Sequence, residues 1–261
     1  MRILALDTTA SPVSAALLKD GFLEGEFFLN VKTTHSQTLM PVVEALLRMT
    51  GTSIADIDLF AVDAGPGSFT GVRIGVASVK GMTMPDNKPC AAVSTLEAMA
   101  YMTPYRNGIV CPVMDARRSQ VYNALFSLGE GEPVRLCEDR ALSTDELEQE
   151  LLTKYKDSPV YLVGDGAELC YRCFGEKNDN IILVPMNIRF QHAYGTAKAA
   201  EAMAAREMLC SSDELVPFYL RLPQAERELK ARLQGGDPAS HTEAENSAPY
   251  GVNREKQGET Q

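Results

Sequence analysis

The feature that most constrains the fold of this chain is a pattern that occurs twice, 108 residues apart. Residues 2–7 (RILALD) form a short apolar run that ends in an acid, and a polar turn and a second apolar run follow. The same order recurs over residues 111–126, where CPVMD is followed by ARRSQ and VYNALF. Apolar runs of this length around a polar turn predict a β-hairpin in each place. Aligning Asp7 with Asp115 also aligns four identical pairs: Ser11 with Ser119, Val13 with Val121, Ala16 with Ala124 and Leu17 with Leu125.

These matches indicate an internal duplication, with chance similarity of two apolar hairpins as the alternative. Strands and helices alternate after each hairpin. In the first half we predict strands at 22–29, 59–64 and 91–93 and helices over 35–49, from Ser68 and from Thr95. In the second half we predict strands at 133–137, 160–163 and 181–184 and helices after Ser143, after Gly164 and over 193–209. This alternation predicts an α/β protein with mixed sheets flanked by helices, in subdomains 1–103 and 104–226.

The end of the chain has a different composition. From about Leu233 to Gln261 the sequence is polar, rich in glycine and almost free of aliphatic residues. Such a segment cannot bury enough apolar surface to offset the entropy that ordering costs. We therefore predict a disordered tail over residues 227–261, with docking to a partner as the alternative.

Charge and composition exclude several classes of protein. The 261 residues include 35 acids and 25 bases, which gives a net charge of −10. A surface of this sign repels a phosphate backbone, which argues against a stand-alone nucleic-acid-binding protein. No apolar run could span a membrane and the N-terminus lacks the pattern of a secretory signal, so we expect a cytoplasmic protein. The six cysteines are expected as reduced thiols, since Cys170 and Cys173 lack the second pair that a zinc site needs.

A glycine-rich turn, DAGPGSFTG, occupies residues 63–71 between a predicted strand and a predicted helix. Phosphate-binding loops occur in this position. The spacing does not match them, because Gly71 precedes Val72 rather than the Lys of a Walker loop, and it lies one position too late for a dinucleotide fingerprint. A structural turn with Ser68 as the helix N-cap is the favoured interpretation.

The helices predicted over 35–49 and 68–82 carry apolar residues on more than one face. Helices of this kind often contact both the core and a partner. The second helix also keeps Gly71 and Gly75, although glycine inside a helix costs about 1 kcal/mol relative to alanine. We interpret these glycines as the place where a partner helix packs close. Burial of both helices within one domain is the alternative.

Candidate catalytic residues are few. The histidines at 35, 192 and 241 provide neither a His-x-x-x-His metal pair nor a Ser-His-Asp set by their spacing. Asp7 and Asp115, each at the end of a predicted strand, could hold a hydrated metal ion or bond the backbone amides of their own turns. We predict no metal site and no cofactor.

Five sets of residues together are similar to a known family. They are ILALDTT at 3–9, GPGSFTGVRIG at 65–75, VSTL at 93–96, DAR at 115–117 with VY at 121–122, and YLR at 219–221 with AE at 225–226. In this order they resemble the bacterial TsaB (YeaZ) family over residues 1–226, and the GPGSFTGVRIG block is highly specific. The resemblance implies an actin-like, sugar-kinase-like (ASKHA) fold of two duplicated subdomains, which agrees with the 108-residue repeat.

The resemblance also implies a function. The family belongs to the machinery that places threonylcarbamoyl on N6 of the adenosine next to the anticodon in tRNAs that read ANN codons. Catalysis there belongs to a paralogous partner, TsaD, which holds a metal through a His-x-x-x-His motif. In this chain Leu39 stands four residues after His35, so that pair is missing. The resemblance therefore implies a non-catalytic scaffold that activates TsaD, with TsaE as the third member of the complex and tRNA contacted only indirectly.

Pairing with TsaD is expected through the two helices of the first subdomain. The predicted partner-binding residues are His35, Leu39, Met40, Val43, Leu46, Phe69, Gly71, Val72, Gly75, Val76 and Val79. The same surface could form a homodimer. The Asp-Ala-Arg hairpin at 115–117 lies where nucleotide-binding relatives carry a phosphate-contacting turn. The residues predicted for weak nucleotide binding are Asp7, Thr8, Thr9, Asp115 and Arg117. Arg117 and Arg118 replace the glycines of the relatives' second turn, so the predicted nucleotide site is incomplete.

Two other functions remain open at the level of sequence. An independent ATP-dependent phosphotransferase or carbamoyltransferase could have the same fold, and a zinc peptidase is the third hypothesis. The fold does not choose among them, because function depends on sites. Nucleotide and metal binding by the isolated protein would separate an enzyme from a scaffold.

Overall fold

The structure is a computed structural model, and it describes residues 1–221. The tail predicted over residues 227–261 lies outside the described residues. Two β-sheets with helices packed against them make up the described part. None of its helices is long and apolar enough to cross a membrane.

The first sheet has the strand order β3-β2-β1-β4-β5. Its strands are β1 (Arg2–Asp7), β2 (Val13–Lys19), β3 (Phe22–Leu29), β4 (Leu59–Gly65) and β5 (Cys90–Ser94). The first three strands pair antiparallel, and β4 and β5 are parallel to β1. The helices of this half of the sequence are α1 (His35–Thr50), α2 (Phe69–Thr83) and α3 (Thr95–Met102).

The second sheet repeats this topology, with the order β10-β7-β6-β11-β12. Its strands are β6 (Gly108–Asp115), β7 (Gln120–Asn123), β8 (Phe126–Leu128), β9 (Val134–Arg135), β10 (Arg140–Ser143), β11 (Val160–Val163) and β12 (Ile181–Leu183). The helices are α4 (Thr144–Lys154), α5 (Ala167–Cys173) and α6 (Ala193–Ala205). Its central strand β6 pairs antiparallel with β7 and parallel with β11, just as β1 pairs with β2 and β4 in the first sheet. The predicted α/β class and the duplication are confirmed, and Asp7 and Asp115 end the two central strands.

Both faces of the first sheet are covered. Leu4 and Leu6 of β1 point into a core formed with α1 and α2, whereas Ile3 and Ala5 point into a core formed with α6. A strand covered on both faces is apolar throughout, which explains the continuous run in β1. Helix α6 thus packs on the first sheet although it follows the second. The subdomain boundaries at 1–103 and 104–226 remain a prediction.

The second hairpin differs from the prediction in one place. The sequence predicts one strand over residues 121–126, but β7 ends at Asn123 and β8 begins at Phe126. The partner strand β6 contains Pro112, which has no amide hydrogen to continue the ladder. The side-chain amide of Asn123 donates instead to the Pro112 carbonyl at 2.9 Å and to the Ala124 carbonyl at 3.0 Å.

Two further predicted elements are shorter in the structure. The strand expected at 133–137 is paired only over Val134–Arg135. The helix expected over 193–209 ends at Ala205, because Glu207 adopts a left-handed φ of 57° and the Met208 amide donates back to the Met203 carbonyl at 2.9 Å.

Candidate functional site

The first predicted nucleotide-binding residues lie at the carboxyl end of β1, where Asp7, Thr8 and Thr9 are buried. Asp7 Oδ1 accepts from the Thr9 amide at 2.8 Å and from Thr9 Oγ1 at 2.7 Å. Thr8 Oγ1 donates to the Gly71 carbonyl at 2.7 Å. These hydrogen bonds engage both hydroxyls and one carboxylate oxygen within the chain, so the three side chains hold the turn in place.

The N-terminus of α2 packs directly on this turn. Ser68 caps the helix as predicted, since its Oγ accepts from the Gly71 amide at 3.3 Å. The Ser68 amide in turn donates to the Thr9 carbonyl at 2.7 Å. The glycine-rich segment therefore holds the N-terminus of α2 against the turn that follows β1.

The glycines of this segment are required by that contact. A Cβ on Gly71 would lie 2.0 Å from the Thr8 carbonyl oxygen, and one on Gly75 would lie 2.6 Å from Thr8 Oγ1. A Cβ on Gly67 would lie 2.5 Å from the Thr9 carbonyl oxygen. Sequence analysis assigned the close approach at Gly71 and Gly75 to a partner helix, whereas within this chain the close atoms are the Thr8 carbonyl oxygen at Gly71 and the Thr8 hydroxyl at Gly75.

The N-terminus of helix α1 also contacts the β1–β2 turn. His35 Nε2 lies 2.7 Å from the Ala10 carbonyl oxygen, and its ring is half-buried. The N-termini of α1 and α2 are thus both fixed by residues 8–10, and the two helices contact each other along the sheet.

A pair of buried acids lies beneath the turn. Asp7 ends β1 and Asp63 lies near the end of the neighbouring parallel strand β4, and both are fully buried. Asp7 Oδ2 and both carboxylate oxygens of Asp63 lack a hydrogen-bond donor among the described residues. Burial raises the pKa of both carboxyls, and the charge of Asp7 raises the pKa of Asp63 further. Burial therefore favours the neutral form of Asp63 beside Asp7.

The second turn has the opposite character, because Asp115 and Arg117 are accessible. Asp115 Oδ1 accepts from the Arg117 amide at 2.7 Å. Arg117, Arg118 and Ser119 have left-handed φ angles of 63°, 56° and 54°. Backbone of this kind favours glycine, so the two arginines occupy positions where a glycine would be unstrained.

A half-buried acid, Asp165, lies near this turn. Asp165 follows β11, the parallel neighbour of β6, and burial raises its pKa to about 6. The side-chain amide of Gln191 donates to Asp165 Oδ1 at 3.4 Å. Sequence reasoning missed Asp63 and Asp165 as partners of Asp7 and Asp115. The available signal was that each acid comes at or just after the end of an apolar run, LFAV at 59–62 and VYLV at 160–163.

The structure separates the eleven predicted partner-binding residues into two groups. Those that are buried face the first sheet or the β1–β2 turn: Leu39, Val43, Leu46, Gly71, Val72, Gly75, Val76 and Val79. Met40 is 46% exposed, whereas His35 and Phe69 are half-buried. The buried residues hold the helices on the sheet, because their side chains are already used in the core. A surface on these helices must therefore consist of Met40 and other accessible side chains.

We define the outer helix face by five residues of α1 and α2: the exposed Met40 and Ala77 and the half-buried Leu47, Ile74 and Met82. Met40 and Leu47 lie seven residues apart and therefore on one flank of α1. Leu47, Ile74 and Met82 are partly buried and pack against the core between the first sheet and helices α1 and α2. Sequence reasoning identified only Met40 of this set as a site residue.

The other flank of α2 is covered by the C-terminal segment, residues 210–221. Arg73 Nε donates to Tyr219 Oη at 2.9 Å, and the Arg73 guanidinium lies 3.8 Å from the centre of the Phe69 ring. The Phe218 amide donates to the Ala64 carbonyl at 2.7 Å. Arg221 Nη1 donates to the Ala116 carbonyl at 3.5 Å, so the segment links the glycine-rich turn to the second hairpin turn.

Comparisons with known proteins agree with these features. The family model described as "TsaD: tRNA N6-adenosine threonylcarbamoyltransferase" matches residues 30–227. The chain is 33% identical to the tRNA threonylcarbamoyladenosine biosynthesis protein TsaB of Bacillus subtilis, over 87% of this chain and 96% of that protein. The chain belongs to the TsaB family. The TsaB protein of Escherichia coli is 32% identical over 89% of this chain and 100% of its own length.

A solved structure supports the same family assignment. YeaZ from Pseudomonas aeruginosa superposes with a TM-score of 0.72 at 27% identity, and the match covers 84% of this chain and 99% of that one. Three of the TsaB-family motifs in this chain are neighbours in space. The GPGSFTGVRIG block contacts the β1–β2 turn through Gly71, and the YLR motif contacts the block through Tyr219.

Proposed function

We propose that this chain is a non-catalytic subunit of the tRNA threonylcarbamoyladenosine machinery. It pairs in the cytoplasm with TsaD and supports modification of the adenosine next to the anticodon in tRNAs that read ANN codons. TsaE is the third member of the complex, and the acidic chain contacts tRNA only through the assembled complex. The observation that carries the proposal is the nearly full-length similarity to TsaB proteins, at 33% and 32% identity.

The local structure around His35 supports a non-catalytic role. A metal pair on consecutive helical turns needs two ligands four residues apart on one accessible face. In this chain the first position, His35, is tied to the Ala10 carbonyl, and the second is Leu39, which is 1% exposed in the core. Among residues 1–221 no cluster of three or more His, Cys, Asp or Glu side chains has metal-binding geometry.

The outer helix face is the proposed surface for TsaD. Exposed methionine and small apolar residues suit a helix-to-helix contact, because methionine adapts to irregular surfaces and alanine allows close approach. The TsaD family model matches this chain from residue 30 onward, so a TsaD protein has a segment comparable to α1 and α2. Two related chains that join through comparable helices form a pseudo-twofold interface, and a homodimer of this chain would use the same face.

Reconstitution tests the proposed role. TsaD from the same organism is assayed for threonylcarbamoyl transfer to tRNA with and without the full chain. The proposal predicts transfer only, or at least tenfold faster, when the chain is present, and no transfer or ATP hydrolysis by the chain alone. Transfer at the full rate by TsaD alone, or ATP turnover by the isolated chain, would contradict it.

A further inference from the structure

We propose that Cys90 and Cys210 are a redox-sensitive pair that forms a reversible disulfide and thereby locks the C-terminal segment onto β5. All six cysteines are free thiols in the structure. This pair differs from the others in that its two residues lie directly opposite each other on adjacent extended segments. The proposal rests on this geometry and is independent of the proposed function.

The backbone places the two residues at disulfide distance. Cys90 and Cys210 form an isolated antiparallel bridge with two backbone hydrogen bonds. The Cys90 amide donates to the Cys210 carbonyl at 2.8 Å, and the Cys210 amide donates to the Cys90 carbonyl at 2.9 Å. The Cα atoms of such a hydrogen-bonded pair lie about 5.5 Å apart, with both side chains on the same side. Disulfides usually join Cα atoms about 4.4–6.8 Å apart and Cβ atoms about 3.5–4.5 Å apart, so the Cα separation suits the bond. The Cβ atoms of a hydrogen-bonded pair lie about 5.5 Å apart, so the two segments must draw together by about 1 Å as the bond forms.

The two thiols have different surroundings, which suggests an order of events. Cys210 is partly exposed, and its Sγ lies 3.5 Å from the Cys90 carbonyl oxygen. Cys90 is fully buried, and its Sγ lies 3.7 Å from Oγ1 of Thr83, the last residue of α2. An oxidant therefore reaches Cys210 first, and Cys90 is the resolving thiol beside it.

The chemistry balances with hydrogen peroxide as the oxidant. The Cys210 thiolate attacks one peroxide oxygen, so an S–O bond forms, the O–O bond breaks and, with one proton, water leaves. The Cys90 thiolate then attacks the sulfenic sulfur, so the S–S bond forms and the S–O bond breaks with loss of a second water. Two thiols and one peroxide thus give one disulfide and two waters, and a dithiol reductant reverses the bond. Burial raises the pKa of both thiols, so the reaction accelerates as the pH rises.

The bond would add a covalent link to a segment that is held by hydrogen bonds and by one fully buried side chain. After Cys210, the segment is anchored by buried Leu215, by the Phe218 amide and by the Tyr219–Arg73 hydrogen bond. A link between residues 90 and 210 closes a long loop of the unfolded chain, which is where a disulfide stabilises most in the chain-entropy account. We expect the melting temperature of the described fold to rise by about 5–10 °C on oxidation.

The experiment is a peptide map of the full chain after exposure to hydrogen peroxide at pH 7 and pH 8.5. Trypsin places Cys90 in peptide 81–106, because the Lys88–Pro89 bond resists cleavage, and Cys210 in peptide 207–221. We expect the disulfide-linked pair of these peptides, more of it at pH 8.5, and its loss on treatment with dithiothreitol. The melting temperature should rise on oxidation in the parent chain and not in Cys210→Ser.

The matched control uses a pair of cysteines that are neighbours on one helix. Cys170 and Cys173 lie three residues apart on α5, and Cys173 is exposed. Cys173→Ser should leave both the linked peptides and the rise in melting temperature unchanged. The proposal is overturned if Cys173 is oxidised while Cys90 and Cys210 stay fully open to alkylation after unfolding, or if Cys210 is linked to a different cysteine. The comparison of oxidised with reduced parent chain needs no variant, so a misfolded mutant cannot decide the result.

Discussion

Replacement of Gly71 by alanine tests whether the glycines of α2 serve the fold or a partner. A Cβ at this position would lie 2.0 Å from the Thr8 carbonyl oxygen, whereas ordinary contact begins at 3.4 Å. The helix and the turn must therefore separate by about 1.4 Å. That shift strains the hydrogen bond from Thr8 Oγ1 to the Gly71 carbonyl and the one from the Ser68 amide to the Thr9 carbonyl.

The expected magnitude follows from two opposing effects. Overpacking of a well-packed site costs about 1–3 kcal/mol, and here the obstructing atom belongs to backbone that cannot rotate away. Alanine in a helix recovers up to about 1 kcal/mol relative to glycine. We expect Gly71→Ala to lower the free energy of unfolding by about 2 kcal/mol, which corresponds to a fall in melting temperature of about 4–8 °C in a domain of this size.

The same helix offers a matched control. Gly81 is exposed, and a Cβ there would have no atom within 4 Å. Gly81→Ala should raise the free energy of unfolding by about 0.5–1 kcal/mol, because only helix propensity changes. Both variants are measured by thermal and urea denaturation of the chain without any partner. If Gly71→Ala is as stable as Gly81→Ala but fails to bind TsaD, the close contact at Gly71 belongs to a partner and its assignment to the β1–β2 turn is refuted.

Three further predictions concern other parts of the fold. Burial raises the pKa of Asp63 well above 3.8, so the native state keeps a proton that the unfolded state releases, and the free energy of unfolding falls as the pH rises above about 4. Asp63→Asn should reduce that fall between pH 5 and pH 7 in urea denaturation, and an unchanged slope would contradict the assignment. Tyr219→Phe removes the hydrogen bond from Arg73 and should lower stability by at most about 1 kcal/mol, whereas Tyr219→Ala also removes the ring whose centre lies 5.0 Å from that of Phe69 and should cost more. Ser143→Ala removes the N-cap and capping box of α4 and should cost about 1 kcal/mol, measurable as a lower urea midpoint.

Much of the architecture could be predicted from the sequence, because the hydrophobic pattern is local. The repeat that aligns Asp7 with Asp115 corresponds to two sheets of the same topology, and Ser68 caps α2 as its position before the helix indicated. The predicted strand over 121–126 is interrupted for a reason in a different strand, namely the missing amide hydrogen of Pro112. Pairing partners are not visible in the pattern of a single strand.

The site was harder to predict, because periodicity shows which faces are apolar but not what covers them. Val76 and Leu39 are apolar on faces that this chain's own sheet covers, and Gly75 approaches Thr8, which is 67 residues earlier in the chain. The acid pairing of Asp63 with Asp7 depends on strand order in the same way. Contacts between distant segments become apparent only once the sheet topology is known.

The most direct test of the proposed function is a titration of TsaD with two variants of helix α1. Met40→Glu puts a charge on the outer helix face, whereas Met49→Glu puts the same charge nine residues later, on the opposite side of the helix, where Met49 is 75% exposed. An unpaired charge in a desolvated interface costs several kcal/mol, so we expect Met40→Glu to weaken binding about a hundredfold or more and Met49→Glu to bind within about threefold of the parent chain. Both variants should melt within about 2 °C of the parent, because both positions are accessible. Equal affinity of the two variants for TsaD, or stronger loss with Met49→Glu, would contradict the proposed surface.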